Sequence, residues 1–296
     1  TRRTGGSPMR FMSRLFSRRP KSDIGLLDYH RRLWLQVTVA LTLIFLYAPI
    51  LTLMAFSFND SKRNIVWRGF TLKYYEKAAG NAELMEAFLN SLTIAFVSTI
   101  MSVILGALTA YVLWRFRFPG RTIFEGITAL PVVIPEICMG VALMVFFART
   151  GFNTGTWIWP FNLSAITIAH IAFSFPFAAI VIRARLESFN RELAESAKDL
   201  GASEFQVFRD IIVPHMKPGL IAGALLAFTL SLDDFVITFF TSGPNTLTFP
   251  VKIYSMVRFS VTPEVNAAST ILIIITVIIT ALALRLQNRN NMLQAG

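Results

Sequence analysis

Six long apolar runs constrain this chain more than any other feature. They cover residues 33–56, 88–114, 123–148, 163–186, 219–241 and 265–286. About 20 apolar residues in a helix cross the roughly 30 Å of hydrocarbon in a bilayer. No water reaches that layer, so each run must satisfy its backbone groups internally, as a helix. The composition agrees. Hydrophobic residues make up 54% and charged residues only 15%, with a mean hydropathy of +0.57. A soluble domain carries about a quarter charged residues. The expectation is an all-α membrane protein with six transmembrane helices and no internal repeat. Residues 1–32 form a basic tail, 33–286 the membrane domain, and 287–296 a short C-terminal tail.

Lys and Arg in the flanks set the orientation. With the N-terminal tail inside, 20 of the 28 basic residues fall on the cytoplasmic side and 8 outside. Both termini are then cytoplasmic (N-in, C-in). The net charge of +11 reflects these flanks and not nucleic-acid binding. In the tail, Arg10, Arg14 and Arg18 recur at four-residue steps beside Phe11, Met12, Leu15 and Phe16. That pattern suits a basic helix lying on anionic headgroups of the lipid bilayer.

Little points to catalysis. The single Cys138 rules out an internal disulfide and reads as a buried thiol in the third span. His30, His170 and His215 have no metal-ligand spacing, so no metal site is expected. His170, mid-span, reads as a residue hydrogen-bonding between helices. No P-loop is present to cradle ATP. No Ser/His/Asp set suggests a nucleophile. The chain by itself is expected to be no enzyme and to hold no cofactor.

The charges within the spans are Glu125, Glu136, Asp233 and Asp234, all acidic. An intramembrane carboxylate costs at least about 2.5 kcal/mol and normally faces a cavity or a partner. An acid set of this kind suits a cationic solute. Glu136 and Asp233 are 13 and 14 residues from the cytoplasmic ends of their spans, hence roughly 20 Å deep at 1.5 Å per residue. Ser231, Asp234, Thr238 and Thr241 share one helix face, and Thr229 aligns with Asp233. Asp234, on the longer polar stripe, is the stronger pathway candidate. Pro131 and Pro135 are expected to bend the third span just before Glu136. Phe235, Phe239, Phe240 and Tyr47 are aromatic candidates for gripping an alkylammonium chain. Glu125, near the cytoplasmic surface, reads as a gate or interface residue.

Between the fourth and fifth spans lies a polar segment, residues 187–214. Leu193, Ala197, Leu200, Phe205 and Phe208 recur at helical steps among Glu192, Glu195, Lys198 and Asp199. Gly201 can end one helix and start another. Pro214 is expected to stop the second. The pattern of Glu195, Ser196, Ala197, Leu200, Gly201 and Pro214 resembles the EAA loop of ABC importer permeases. The family often has Ala at the position of Ser196. In that family the loop docks into a separate ATPase subunit.

Further segments resemble spermidine/putrescine permeases. They are residues 226–236 (LAFTLSLDDFV), 129–136 (ALPVVIPE), Tyr47-Ala48-Pro49, Ser57-Phe58-Asn59 and Pro263-Glu264-Val265-Asn266-Ala267. The similarity runs over essentially everything after the tail and is strongest to the second permease of the pair. It implies the type I ABC importer permease fold. It also implies a second permease subunit as heterodimer partner, two ATPase subunits and a periplasmic polyamine-binding protein. ATP would be bound by the ATPase. A multi-span importer permease places the chain in a bacterial inner membrane. Two alternatives stand beside it: a type I permease for another cationic or organic solute, and a proton-coupled secondary transporter.

Overall fold

The computed structural model describes residues 33–61, 66–150, 161–243, 246–259 and 262–295. The basic tail, with its expected interfacial helix, lies outside the described residues. Twelve helices are assigned among them, and no strand beyond one isolated bridge between Asn59 and Phe70. The chain divides into two units between Ala55 and Phe56. The first contains nearly all of α1 (Leu33–Phe56). Its Thr38, Thr42 and Thr52 hydroxyls donate to carbonyls four residues earlier, which suits polar side chains in a lipid-spanning helix.

The second unit holds the rest. Its long helices are α3 (Ala82–Arg115), α6 (Phe161–Glu187), α9 (Val213–Leu232) and α12 (Pro263–Ala295). The third span is α4 (Arg121–Val133) followed by α5 (Glu136–Thr150), bent by 107°. The bend expected from Pro131 and Pro135 is therefore present. Short helices α2 (Lys73–Gly80) and α11 (Phe249–Phe259) fill two loops where the sequence suggested none. The polar segment forms α7 (Arg191–Asp199) and α8 (Glu204–Val207). The last helix runs on to Ala295, so residues 287–295 are helical.

Lipid supplies no hydrophobic drive between spanning helices, so close backbone approach by small residues must hold them. The α3, α6 and α9 trio follows that rule. Ala95, Ala110, Ala165, Ala169, Ala178 and Ala227 are fully buried. A Cβ on Gly106 would lie 2.9 Å from Ala179 N and 3.1 Å from Phe175 O. These are backbone atoms, which cannot swing aside. Gly106→Ala is expected to cost about 1–3 kcal/mol by overpacking, read as a lowered melting temperature in detergent. An unchanged melting temperature would show that the α3–α6 contact is looser than this geometry.

Two sequence expectations are corrected here. Cys138 is exposed on α5 and not buried, because its neighbours Met139 and Gly140 take the packed face of that helix. Pro214 does not stop a helix. It lies in the first turn of α9, directly after a π-helical turn at Phe208–Ile212. The π-helical turn before it shifts the hydrogen-bond ladder, which lets the helix pass a proline that has no N–H to give. The fifth span's helix thus begins at Glu204, well before residue 219.

Candidate functional site: two broken spans and a cytoplasmic docking segment

The fifth span is also broken. α9 ends at Leu232, residues 233–235 are not helical, and α10 (Val236–Thr241) resumes the direction of the chain. No Pro or Gly lies at this break. Asp234 makes it possible. Its Oδ1 accepts from the Ile237 N–H at 3.3 Å and its Oδ2 from the Thr238 N–H at 2.8 Å. These donors of the first turn of α10 would otherwise be orphaned in hydrocarbon.

Asp234 is 8% exposed and turned into the helix packing. Its Oδ2 also accepts from Thr238 Oγ1 at 2.9 Å and lies 3.3 Å from His170 Nε2. His170, 2% exposed on α6, bridges Ser231 at 2.6 Å and Thr238 at 2.9 Å. Ser98 on α3 reaches Ser231 at 3.0 Å. Ser231, Asp234 and Thr238 do share a face, and that face looks onto His170. The sequence offered Asp234 no partner in its own chain; His170 is that partner.

Asp233 differs from its neighbour. It caps the C-terminus of α9, its N–H bonding Thr229 O at 3.2 Å, and it is exposed. Its charge interacts with those of Asp234 and Glu136. Glu136 opens α5 and is also exposed. α5 packs against α10, with Gly140 under the Phe240 ring. The breaks of the third and fifth spans therefore adjoin, each carrying an open carboxylate. A helix C-terminus favours cations, so the end of α9 adds to the negative field of both acids.

Phe235, within the fifth-span break, packs with Phe239 and Tyr254. The Phe235 ring is 4.7 Å from Tyr254 and 5.5 Å from Phe239. Tyr254 comes from α11 and was missed by sequence reasoning, which had no signal for that helix. Phe240 packs on α5, and Tyr47 belongs to the other unit. Glu125 pairs with Arg183 at 2.7 Å and Arg121 at 3.6 Å, so this acid has in-chain partners. Among the described residues no three His, Cys, Asp or Glu side chains gather as a metal site.

The second functional region is the α7–α8 segment. Asn190 caps α7 by accepting from Glu192 N at 3.0 Å. Gly201 takes φ +89°, the left-handed turn that separates the two helices. Ser203 and Gln206 form a reciprocal cap on α8. Ala194, Ala197, Ala202 and Phe208 face a core made by α3, α6 and α9. Leu193, Leu200 and Phe205 face outward, with Leu200 90% exposed. Glu195 and Ser196 are exposed, as is Pro214. The segment is braced from behind. Arg191 stacks over the Trp114 ring at 5.2 Å, Trp114 meets Phe189 at 5.6 Å, and Tyr111 meets Phe208 at 5.0 Å. Lys198 pairs with Glu204 across the turn.

Comparison with known proteins bears on both regions. Residues 102–291 match the family described as the inner membrane component of binding-protein-dependent transport systems. The spermidine/putrescine transport system permease protein PotC of Escherichia coli K12 is 41% identical over 234 residues, covering 79% of this chain and 86% of that one. The putrescine transport system permease protein PotI of the same strain is 40% identical over 243 residues, covering 81% and 85%. A bacterial ABC transporter that imports alginate has a chain of the same fold, with a TM-score of 0.70 at 19% identity over 88% of this chain and 96% of that one. Family match, broken apolar spans and helical architecture agree: this chain belongs to the family of multi-pass inner membrane components of binding-protein-dependent transport systems.

Proposed function

We propose that this chain is one permease of an ATP-driven importer that carries putrescine or spermidine across the bacterial inner membrane. The observation that carries the reading is the adjoining pair of helix breaks, with Asp233 and Glu136 open and a ring cluster of Phe235, Phe239 and Tyr254 starting at the same break. A polyamine is a flexible chain with an ammonium at each end. Leaving water costs it several kcal/mol per charge unless other groups replace the hydration. Spaced carboxylates, helix-end carbonyls and ring faces do so. Ser231 and Thr238 line the same turn and, with Asp234, hold its shape. The names of the two Escherichia coli relatives support the same solute class. A proton-coupled carrier would have no use for the braced α7–α8 segment.

In the proposed assembly a second, different permease completes the pathway, two ATPase subunits bind and hydrolyse ATP, and a periplasmic protein delivers the polyamine. This chain has no catalytic residue. Both termini are cytoplasmic. Glu195, Ser196, Ala197, Leu200 and Gly201 dock on the ATPase, and Pro214 lies in the helix behind them. ATPase closure moves α7–α8, and the bracket of Arg191, Trp114, Phe189 and Phe208 passes that motion to α3 and α9.

The test is uptake of radiolabelled putrescine and spermidine into vesicles containing this permease, its partner, the ATPase and the binding protein. Uptake that needs ATP and is competed by one polyamine is the expected result. ATP-dependent assembly without polyamine uptake would redirect the reading to another cation. Uptake driven by a proton gradient without the ATPase would overturn it.

A further inference from the structure

The buried cluster around His170 has a hydrogen-bond order that can be read from its donors. Thr238 Oγ1 donates to Asp234 Oδ2. Its oxygen then remains as the acceptor for His170 Nε2, so Nε2 carries a hydrogen. His170 Nδ1 shares a hydrogen bond with Ser231 Oγ at 2.6 Å, and Ser231 accepts from Ser98 Oγ. The cluster therefore links α3, α9 and α6 to the carboxylate of Asp234.

That order has a geometric consequence. Asp234 holds the first turn of α10 open by accepting from the Ile237 and Thr238 N–H groups. His170 and the Thr238 hydroxyl hold Asp234. His170 sits on α6, within the packed trio, and so ties the break to that trio. Without that tie, residues 233–235 can join α9 and α10 into one continuous helix, which satisfies the same N–H groups from carbonyls four residues earlier. Asp233 already bonds Thr229 O and now stands at an open helix end; in a continuous helix it would become an interior residue flanked by Val236 and Ile237 one turn on.

We infer that His170 is a positioning residue: through Ser231, Thr238 and Asp234 it keeps the fifth span broken and so presents the Asp233 carboxylate to the pathway. This rests on the proposed pathway role of Asp233, but the break itself does not depend on which solute is carried. His170 touches no solute; it acts at a distance of two residues through the cap.

The test reads the break directly. Asp233→Cys is made in a Cys138→Ser background, which removes the chain's only other thiol, and reconstituted in the full complex. The rate of labelling at residue 233 by a membrane-impermeant thiol reagent is measured. His170→Leu is expected to change that rate about tenfold, as a satisfied polar network is lost. His170→Gln offers a donor and an acceptor and should stay within about twofold of the parent. Thr238→Val is near-isosteric and removes only the bridging hydroxyl; about a fivefold change is expected. It serves if His170→Leu fails to assemble. Labelling unmoved by an assembled His170→Leu, or by Thr238→Val, would overturn the inference.

Uptake supplies the second readout. In a double-variant cycle, His170→Leu should lower uptake strongly in the parent and less than about twofold further in Asp233→Asn. Losses that multiply independently would overturn the positioning role. If labelling responds as expected while the parent complex moves no polyamine, the inference about His170 stands and the proposed solute fails.

Discussion

Replacing Asp233 by Asn is expected to lower polyamine uptake at limiting solute by roughly tenfold to a hundredfold, with the complex still assembled. The estimate follows from the loss of a charged hydrogen-bond partner, about 1.5–3 kcal/mol, at about 1.4 kcal/mol per tenfold. Asp233 is exposed at the end of α9 and its carboxylate interacts with the charge of Glu136. The amide keeps the shape of the side chain and removes the charge, so packing should not change. Asp234→Asn tests the contrast. There the lost oxygen is an acceptor for buried donors, and an NH₂ group would face the Thr238 and His170 donors instead. The expected result is about 1–3 kcal/mol of lost stability, read as a lower melting temperature in detergent. Wild-type uptake by Asp233→Asn would remove the acid pair from the pathway.

The sequence foretold some of this and not the rest, for physical reasons. The spans were legible because lipid demands about 20 apolar residues in a helix. The third-span break was legible because Pro131 and Pro135 cannot donate to the helix ladder. The fifth-span break was not. Residues 232–236 hold no helix breaker, and the cap on α10 works only with His170, distant in sequence on α6. A side chain's partner across a membrane bundle is a fact of packing, which periodicity does not carry. Helical steps put Asp234 on the longer polar stripe, but they could not show that this stripe meets His170 on another helix. Pro214 misled because the π-helical turn before it accommodates the missing N–H, so the helix runs through it. The two-helix form of the α7–α8 segment was legible. Its markers are local: the Gly201 turn, small residues inward, and apolar residues at helical steps.

Leu200→Asp is expected to detach the ATPase while leaving the isolated permease as stable as the parent. Leu200 is 90% exposed, and surface substitutions of this kind usually move stability within about 0.5 kcal/mol. A large apolar side chain held out at the tip of a capped, braced helix has no folding role to lose. In a docking interface the same residue sits among Leu193 and Phe205, which also face outward. A hot-spot residue at such a contact contributes about 2–4 kcal/mol, and a buried unpaired carboxylate adds to that loss. Copurified ATPase should therefore fall by roughly thirtyfold or more, and ATP-dependent uptake with it. Gly201→Val reaches the same end by another route. At φ +89° a β-branched residue is strained, so the turn must reshape and the outward residues of α7 and α8 must lose their common surface. Here the Cβ meets nothing within 4 Å, which isolates backbone strain from crowding. The two variants together separate surface from angle. Leu200→Asp keeps the angle and removes the contact, whereas Gly201→Val keeps every contacting side chain and changes the angle. Loss of ATPase binding in both requires a shaped docking surface. Normal copurification with Leu200→Asp would mean the ATPase grips another part of the chain.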